Sequence, residues 1–203
     1  MIFVSAVLIG LAVTLGATAG DPVPAAANGS WSWEAGLPGA PLGSTGALSQ
    51  RSQAAIGAAL DVSEGVQDGS VRQVVTVNGA SDGLTLLSGV GANGEPCFTM
   101  LTDLGGTREF SCLGNFAAQG AIVRFVGSAG PTVDVIDRVS FVGVVRSDVA
   151  RVALMTAKGV EQELPLNQWR AFGFTTTSPD SFPVALRVYG GDGSLVEELP
   201  TYP

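Results

Sequence analysis

Residues 139–199 alternate between apolar and polar side chains almost without interruption. Val152 and Leu154, for example, are interleaved with Arg151 and Met155. A period of two residues is typical of β-strands that bury one face, and short turns containing glycine are typical of the hairpins that join antiparallel strands. This pattern predicts antiparallel β-structure for the C-terminal third of the chain.

The same region contains two glycine turns and one segment of a different kind. The turns, at 157–159 and 191–193, separate alternating runs. Val139–Val145 is apolar at almost every position, as expected for a central strand that is covered on both faces. We therefore predict a small β-sandwich over residues 132–203.

The residues before the sandwich predict one helix and a further set of strands. The helix covers Ala47–Leu60, with Ser49 or Ser52 as its N-cap. The predicted strands are Val71–Val77, Leu84–Ser88, Cys97–Thr102, Thr107–Leu113 and Ala121–Val126. We predict that they form a β-meander subdomain over residues 47–127, joined at a hinge near 128–131 to the sandwich, and that both parts share one core.

The two cysteines lie in neighbouring predicted strands. If Leu104 and Gly105 form a two-residue loop, Cys97 lies directly opposite Cys112, close enough for a disulfide. A glycine bulge at Gly106 would instead shift the register by one residue. In an exported chain the pair is expected to be oxidised. Two cysteines without a histidine argue against a metal site.

The N-terminus predicts export. Residues 2–19 carry no charged side chain and end in Ala17-Thr18-Ala19, before Gly20. An apolar run followed by this small-residue pattern is typical of a secretory signal peptide, here cleaved between Ala19 and Gly20. No basic residue precedes the run, and it is just long enough to remain as a membrane anchor, which is the alternative. Both readings place the folded part outside the cytoplasm, either secreted or anchored to the cell membrane.

Residues 20–46 predict a tether. Glycine, proline, alanine and serine dominate this segment, which therefore cannot bury enough apolar surface to fold alone. Trp31 and Trp33 are the exception. We predict that they dock on the folded part of the same chain, and contact with a partner is the alternative.

The composition excludes several functions. Lys and Arg number 10 and Asp and Glu number 18, a net charge of −8 that disfavours nucleic acid and anionic lipid surfaces. The chain has no histidine, which removes the commonest general base and the commonest zinc ligand. We accordingly predict no metal, no cofactor and no catalytic residues.

Two glycine-rich stretches match functional motifs without the required context. Residues 79–83 fit the G-x-S-x-G nucleophile elbow, which needs a helix after it and a histidine base, but a strand begins at Leu84. Residues 89–94 fit the G-x-G-x-x-G dinucleotide motif, yet Pro96 lies where the required helix would form. Both are predicted to be hairpin loops.

The carboxylate pairs also lack catalytic context. Glu161 and Glu163 are predicted to share one exposed strand face, while Glu197 and Glu198 point to opposite sides of a strand. Solvated strand faces account for both pairs without a glycosidase mechanism. Asp192 is predicted to be a turn aspartate rather than a calcium ligand.

The order of these pieces resembles a group of uncharacterised exported or cell-envelope proteins of high-GC Gram-positive bacteria. The resemblance depends on the cysteine hairpin and four short stretches: FAAQG at 116–120, GVVRSDVARV at 143–152, RAFGF at 170–174 and VALRVYGGDG at 184–193. It implies an extracytoplasmic location and carries no known activity. The strand spacing of the C-terminal part also resembles an immunoglobulin-like β-sandwich.

The expected fold is therefore mainly β, with an antiparallel meander and hairpin disulfide, an immunoglobulin-like sandwich and one short N-terminal helix. We expect an exported non-enzymatic module that binds another envelope protein or a cell-wall component, or an accessory domain of a secretion or signalling system. The alternative is a hydrolase or transferase that uses Ser, Asp or Glu without histidine. Membrane contact is expected only through residues 1–19, if they are uncleaved.

Overall fold

A computed structural model describes residues 31, 37–44, 49–63, 65–77, 83–102, 109–112, 119–129 and 136–201. These residues form antiparallel β-sheets and one α-helix, α1 (Gln50–Val62). The predicted mainly-β architecture with one short α-helix in the N-terminal part of the described chain is confirmed.

The first sheet, here called the N-terminal sheet, contains consecutive strands in the order β1-β2-β3-β4-β5. Its strands are β1 (Ala40–Pro41), β2 (Arg72–Val77), β3 (Leu84–Val90), β4 (Pro96–Thr102) and β5 (Ser111–Cys112). Each strand pairs antiparallel with its neighbour, so the predicted meander is confirmed from β2 to β5.

The second, or central, sheet has three strands, in the order β10-β7-β6. They are β6 (Ala121–Ala129), β7 (Ile136–Val145) and β10 (Ala171–Thr176). The third, or outer, sheet has the order β12-β11-β8-β9. Its strands are β8 (Val149–Thr156), β9 (Glu161–Leu164), β11 (Pro183–Gly190) and β12 (Leu195–Pro200).

The sheets stack in layers, and β7, the middle strand of the central sheet, is buried on both faces. Val142 and Val144 pack against β2, β3 and β4 of the N-terminal sheet. Phe141 and Val145, which alternate with them along β7, pack against the outer sheet. All four side chains are fully buried, which confirms the prediction of a central strand covered on both sides.

Strand β6 belongs to the central sheet rather than to the meander. It pairs along its whole length with β7, from Ala121 opposite Val145 to Ala129 opposite Ile136. The first two residues of the predicted hinge near 128–131, Ser128 and Ala129, therefore lie within β6 and pair with β7, and the other two lie outside the described residues. The reason is topological, because a strand followed by a short connection pairs most readily with the strand that comes next.

Helix α1 covers the other face of the N-terminal sheet. Ser49 is its N-cap, and the Ser49 side chain accepts a hydrogen bond from the Ser52 backbone N–H, as predicted. Ala55, Ile56 and Ala59 are buried against a cluster that contains Leu87, Leu101 and Phe110. At the end of the helix, the Ser63 hydroxyl accepts a hydrogen bond from the Phe110 N–H, which fixes the approach to β5.

Part of the predicted tether is integrated into the fold. Within residues 37–44, β1 pairs with Arg72 and Gln73 at the edge of the N-terminal sheet. Gly39 has a φ of +118°, and a Cβ there would approach the Gln73 carbonyl oxygen to 2.8 Å, so this docking requires glycine. Trp31 packs against the cluster between the N-terminal and central sheets, whereas Trp33 lies outside the described residues.

The shared core predicts that the C-terminal part cannot fold at full stability alone. Fragment 134–203 lacks β6 and the whole N-terminal sheet, so Val142 and Val144 would face water. We expect the fragment either to remain unfolded or to melt well below the full chain, as measured by circular dichroism. Melting of the fragment at the temperature of the full chain would show that the two parts have independent cores.

Candidate functional site

The predicted disulfide is present, and it accounts for both cysteines. Cys97 lies directly opposite Cys112 across β4 and β5, and the two sulfurs are bonded. The Glu95 carboxylate lies within 4.8 Å of both sulfurs and completes the one group of three metal-ligand side chains among the described residues. Disulfide sulfurs carry no thiolate, so this group does not form a metal site in the oxidised protein.

Residues 91–94 of the G-x-G-x-x-G stretch form a hairpin loop, as predicted, while Gly89 and Val90 end strand β3. The loop connects β3 to β4, and the Gly91 N–H donates a hydrogen bond to the Glu95 carbonyl oxygen. A Cβ at Gly91 would approach the Glu95 carboxyl to 2.5 Å and the Cys97 sulfur to 2.9 Å, so this glycine is needed for packing. Ser81 lies outside the described residues, and strand β3 begins at Leu84 as expected.

The predicted signal cleavage site, Ala19 and Gly20, also lies outside the described residues. Among the helices that the structure describes, none has the length and apolarity needed to cross a membrane.

Asn167 takes part in five hydrogen bonds, of which the one to Val74 joins the N-terminal and central sheets and the one from the Arg170 N–H is accepted by the Asn167 C=O. Its Nδ2 donates to the Val74 carbonyl oxygen of β2 at 3.0 Å. Its Oδ1 accepts from the N–H groups of Trp169 and Ala171, and its own N–H donates to the Ala171 carbonyl oxygen. Through its side chain and backbone, Asn167 therefore closes the turn before β10, occupies the edge of β10 at Ala171 and bonds β2.

An open apolar groove of about 250 Å³ lies beside this junction. Its walls come from β2, the β9–β10 connection and the start of β10. The lining residues are Val75, Thr76, Val77, Pro165, Leu166, Asn167, Ala171, Phe172 and Gly173. A Cβ at Gly173 would overlap a methyl group of Val77, so glycine at this position lets β2 cross closely over β10.

A buried ion pair occupies the turn that carries the chain from β7 in the central sheet to β8 in the outer sheet. The Arg146 side chain is only 3% exposed and donates to both Asp148 carboxylate oxygens, at 2.8 and 2.9 Å. The hydrogen bond from Arg146 is the main cause that lowers the pKa of Asp148. The Arg170 Nε donates to the Arg146 carbonyl oxygen, and Arg170 itself adopts a left-handed φ of 59°.

Glu197 differs from the prediction of a solvated carboxylate. It is half-buried, and its Oε2 accepts hydrogen bonds from the N–H groups of Gly120 and Ala121, at 2.7 and 3.2 Å. Burial raises the pKa of Glu197, although the two N–H groups and nearby Arg146 favour its ionised form. The misprediction arises because Glu197 lies opposite Val188, whose side chain faces the core, while Glu198 lies on the other face as predicted.

The outer face of the outer sheet carries a charged and aromatic cluster. Arg151 forms an ion pair with Glu161 at 2.7 Å and lies 3.8 Å above the ring of Tyr189. Arg187 forms a 2.6 Å ion pair with Glu198. The hydrogen bond from Arg151 is the main cause that lowers the pKa of Glu161, so this carboxylate is suited to accept hydrogen bonds rather than to act as an acid. Glu161 and Glu163 both lie on an exposed face, as predicted.

The remaining carboxylate has a local role. Asp192 lies in the turn between β11 and β12, and its Oδ1 accepts hydrogen bonds from the N–H and hydroxyl groups of Ser194. It is a turn aspartate, as predicted.

No protein-family profile, curated protein sequence or solved structure matches this chain. The candidate functional site of the described residues is the β10 edge together with the adjoining groove and the hydrogen bonds of Asn167. Sequence reasoning missed this site, and the one local signal was an asparagine within the alternating region 139–199, whose side chain can bond the backbone of a turn.

The Asn167 junction predicts the effect of a nearly isosteric substitution. Asn167→Asp keeps the acceptor for Trp169 and Ala171 but places a carboxylate oxygen against the Val74 carbonyl oxygen. We expect a loss of about 1–3 kcal/mol in the free energy of unfolding, measured by urea denaturation at pH 7. Asn93→Asp, in an exposed turn, serves as the control and should change stability by less than about 0.5 kcal/mol. Equal effects of the two substitutions would contradict the bridging role.

Glu197 predicts a pH dependence of stability. Because its pKa is raised in the folded state, its contribution to stability is greatest below the unfolded-state pKa and is lost as the pH rises through the folded-state pKa. Glu197→Gln keeps an acceptor for Gly120 and Ala121 but cannot ionise. Relative to the unsubstituted protein, this variant should gain in melting temperature between pH 4 and pH 7, while Glu198→Gln should show no such gain. A relative loss over that range would contradict the assignment.

Proposed function

We propose that this protein is an exported, non-enzymatic module that acts as a binding or accessory protein at the bacterial cell envelope. The observation that carries the proposal is the Cys97–Cys112 disulfide within a packed sheet, in a chain whose N-terminal run ends in a signal-peptide pattern. Disulfides persist in oxidising compartments outside the cytoplasm. Residues 20–30 would then connect the folded part to the N-terminal segment, which is either removed or retained as an anchor.

The strand order supports an immunoglobulin-like assignment for the central and outer sheets. If β6 to β12 are lettered A to G, the central sheet has the order A-B-E and the outer sheet has the order G-F-C-D. In constant-type immunoglobulin domains strands A, B, E and D form one sheet and C, F and G the other. The fourth strand here pairs with the third instead of the fifth. Such sandwiches serve many binding functions, so the assignment suggests an architecture rather than a ligand.

Binding is favoured over catalysis by the partners of the charged groups. Asp148 and Glu161 are held ionised by arginine, and Glu197 is occupied by two backbone N–H groups. Each of these carboxylates has a structural partner. The groove beside β10, in contrast, is lined mainly by apolar side chains, as ligand-binding pockets commonly are.

Export can be tested with the native gene in its own host. We expect intact protein outside the cytoplasm, with no free thiol under denaturing, non-reducing conditions and, if the signal peptide is cleaved, a mature N-terminus at Gly20 by mass spectrometry. An intact N-terminus in the membrane fraction would support the anchor instead. Cytoplasmic protein with two titratable thiols would overturn the proposal.

A further inference from the structure

Strand β10 is an edge strand whose outward-facing backbone groups can be identified from its register. The Val145 N–H donates to the Arg170 carbonyl oxygen, which marks that pair as hydrogen-bonded across β7 and β10. In an antiparallel ladder every second pair is of this kind. The N–H and C=O groups of Ala171, Gly173 and Thr175 therefore point away from β7, toward the free edge.

Asn167 already occupies the first of these three positions. Its backbone N–H and side-chain oxygen bond the Ala171 C=O and N–H groups, as a neighbouring strand would. Among the described residues, no hydrogen bond reaches the outward backbone groups of Gly173 or Thr175.

The open stretch of the edge adjoins the apolar groove. Ala171 and Gly173 face the N-terminal sheet, where Val75 and Val77 line the groove, and Leu166 of the β9–β10 connection lines it as well. In an antiparallel hydrogen-bonded pair, opposing residues point to the same face of the sheet. A residue that bonded Gly173 across the edge would direct its side chain into the groove. Backbone groups that can pair with another strand thus lie beside an apolar groove, as in proteins that bind a peptide by strand addition.

We propose that the β10 edge binds an extended, basic segment of another polypeptide as an added antiparallel strand, with its apolar side chains in the groove. This inference rests on the proposed binding function and specifies the site and the class of partner.

Charge and side-chain size select the partner. The protein has a net charge of −8, which attracts a basic segment and repels a second copy. A second copy that paired through its own β10 would offer only Ala171, Gly173 and Thr175 on the groove side. None of these is large enough to fill a groove of about 250 Å³. A branched apolar side chain, such as that of valine or leucine, fits the site better.

The test uses a fluorescently labelled peptide, acetyl-Lys-Val-Lys-Leu-Lys-Val-Lys-amide, and the purified full chain, with binding followed by fluorescence anisotropy. Thr175→Pro removes the outward N–H of an edge residue, where proline is compatible with a strand. Thr175→Val is the matched control, since it keeps the N–H and removes only the hydroxyl that bonds Ser140. We expect the peptide to bind the unsubstituted protein and Thr175→Val similarly, and Thr175→Pro about tenfold more weakly or worse.

Modified peptides test the same geometry on the unsubstituted protein, so the result does not depend on the folding of a variant. N-methylation of the Val and Leu residues removes the N–H groups that face β10 and should abolish binding. N-methylation of the Lys residues, whose N–H groups point away, should preserve it. A peptide with serine in place of Val and Leu should bind at least about tenfold more weakly, because it leaves the groove unfilled.

Three results would overturn the inference. Equal binding by Thr175→Pro and by both N-methylated peptides would indicate attraction by charge alone. Self-association in sedimentation experiments that Thr175→Pro abolishes would identify a second copy as the occupant. Absence of peptide binding at millimolar concentration, with export established by fractionation, would reject the β10 site and leave the proposed location and binding role intact.

Discussion

The fold depends on the burial of strand β7 on both faces. Its side chains alternate between two hydrophobic clusters, with Val142 and Val144 in one and Phe141 and Val145 in the other. Neither cluster is complete without this strand, because each needs the central sheet as one of its walls. Removal of apolar surface from water drives this arrangement, and the alternation along the strand lets one segment serve both interfaces. The disulfide and helix α1 stabilise the N-terminal sheet, against which β7 packs.

The contact between the N-terminal and central sheets shapes the proposed binding site. Gly173 allows β2 to approach β10, and Asn167 holds the two strands together at one end. Both residues line the groove, and Asn167 occupies the β10 edge only at Ala171. Residues that are required for packing therefore also form the candidate recognition surface. The chain has no histidine, and its carboxylates with shifted pKa values are bonded to structural partners, so this candidate site is built from backbone and apolar groups instead.

Much of the fold was predictable because it follows from local patterns. Alternation located the strands, Ser49 marked the start of the helix, and the hairpin register placed Cys97 opposite Cys112. The sheet to which β6 belongs was not predictable in this way, since pairing partners depend on contacts between distant segments. The candidate site was harder still. Asn167 bonds Val74, which lies 93 positions earlier, and Gly173 is required only because Val77 crosses above it. Glu197 was misjudged because charge alone does not reveal that its side of the strand faces the core.

The central claim, that β7 joins the sheets into one cooperative unit, is tested most directly by native-state hydrogen exchange of Val142→Ala. Val142 is fully buried and contacts the N-terminal sheet, not the outer one. If the unit is cooperative, the most protected amides of the N-terminal, central and outer sheets should all lose the same free energy of protection, because they exchange through one global opening. Loss of protection in the N-terminal sheet alone, with the outer sheet unchanged, would contradict the account.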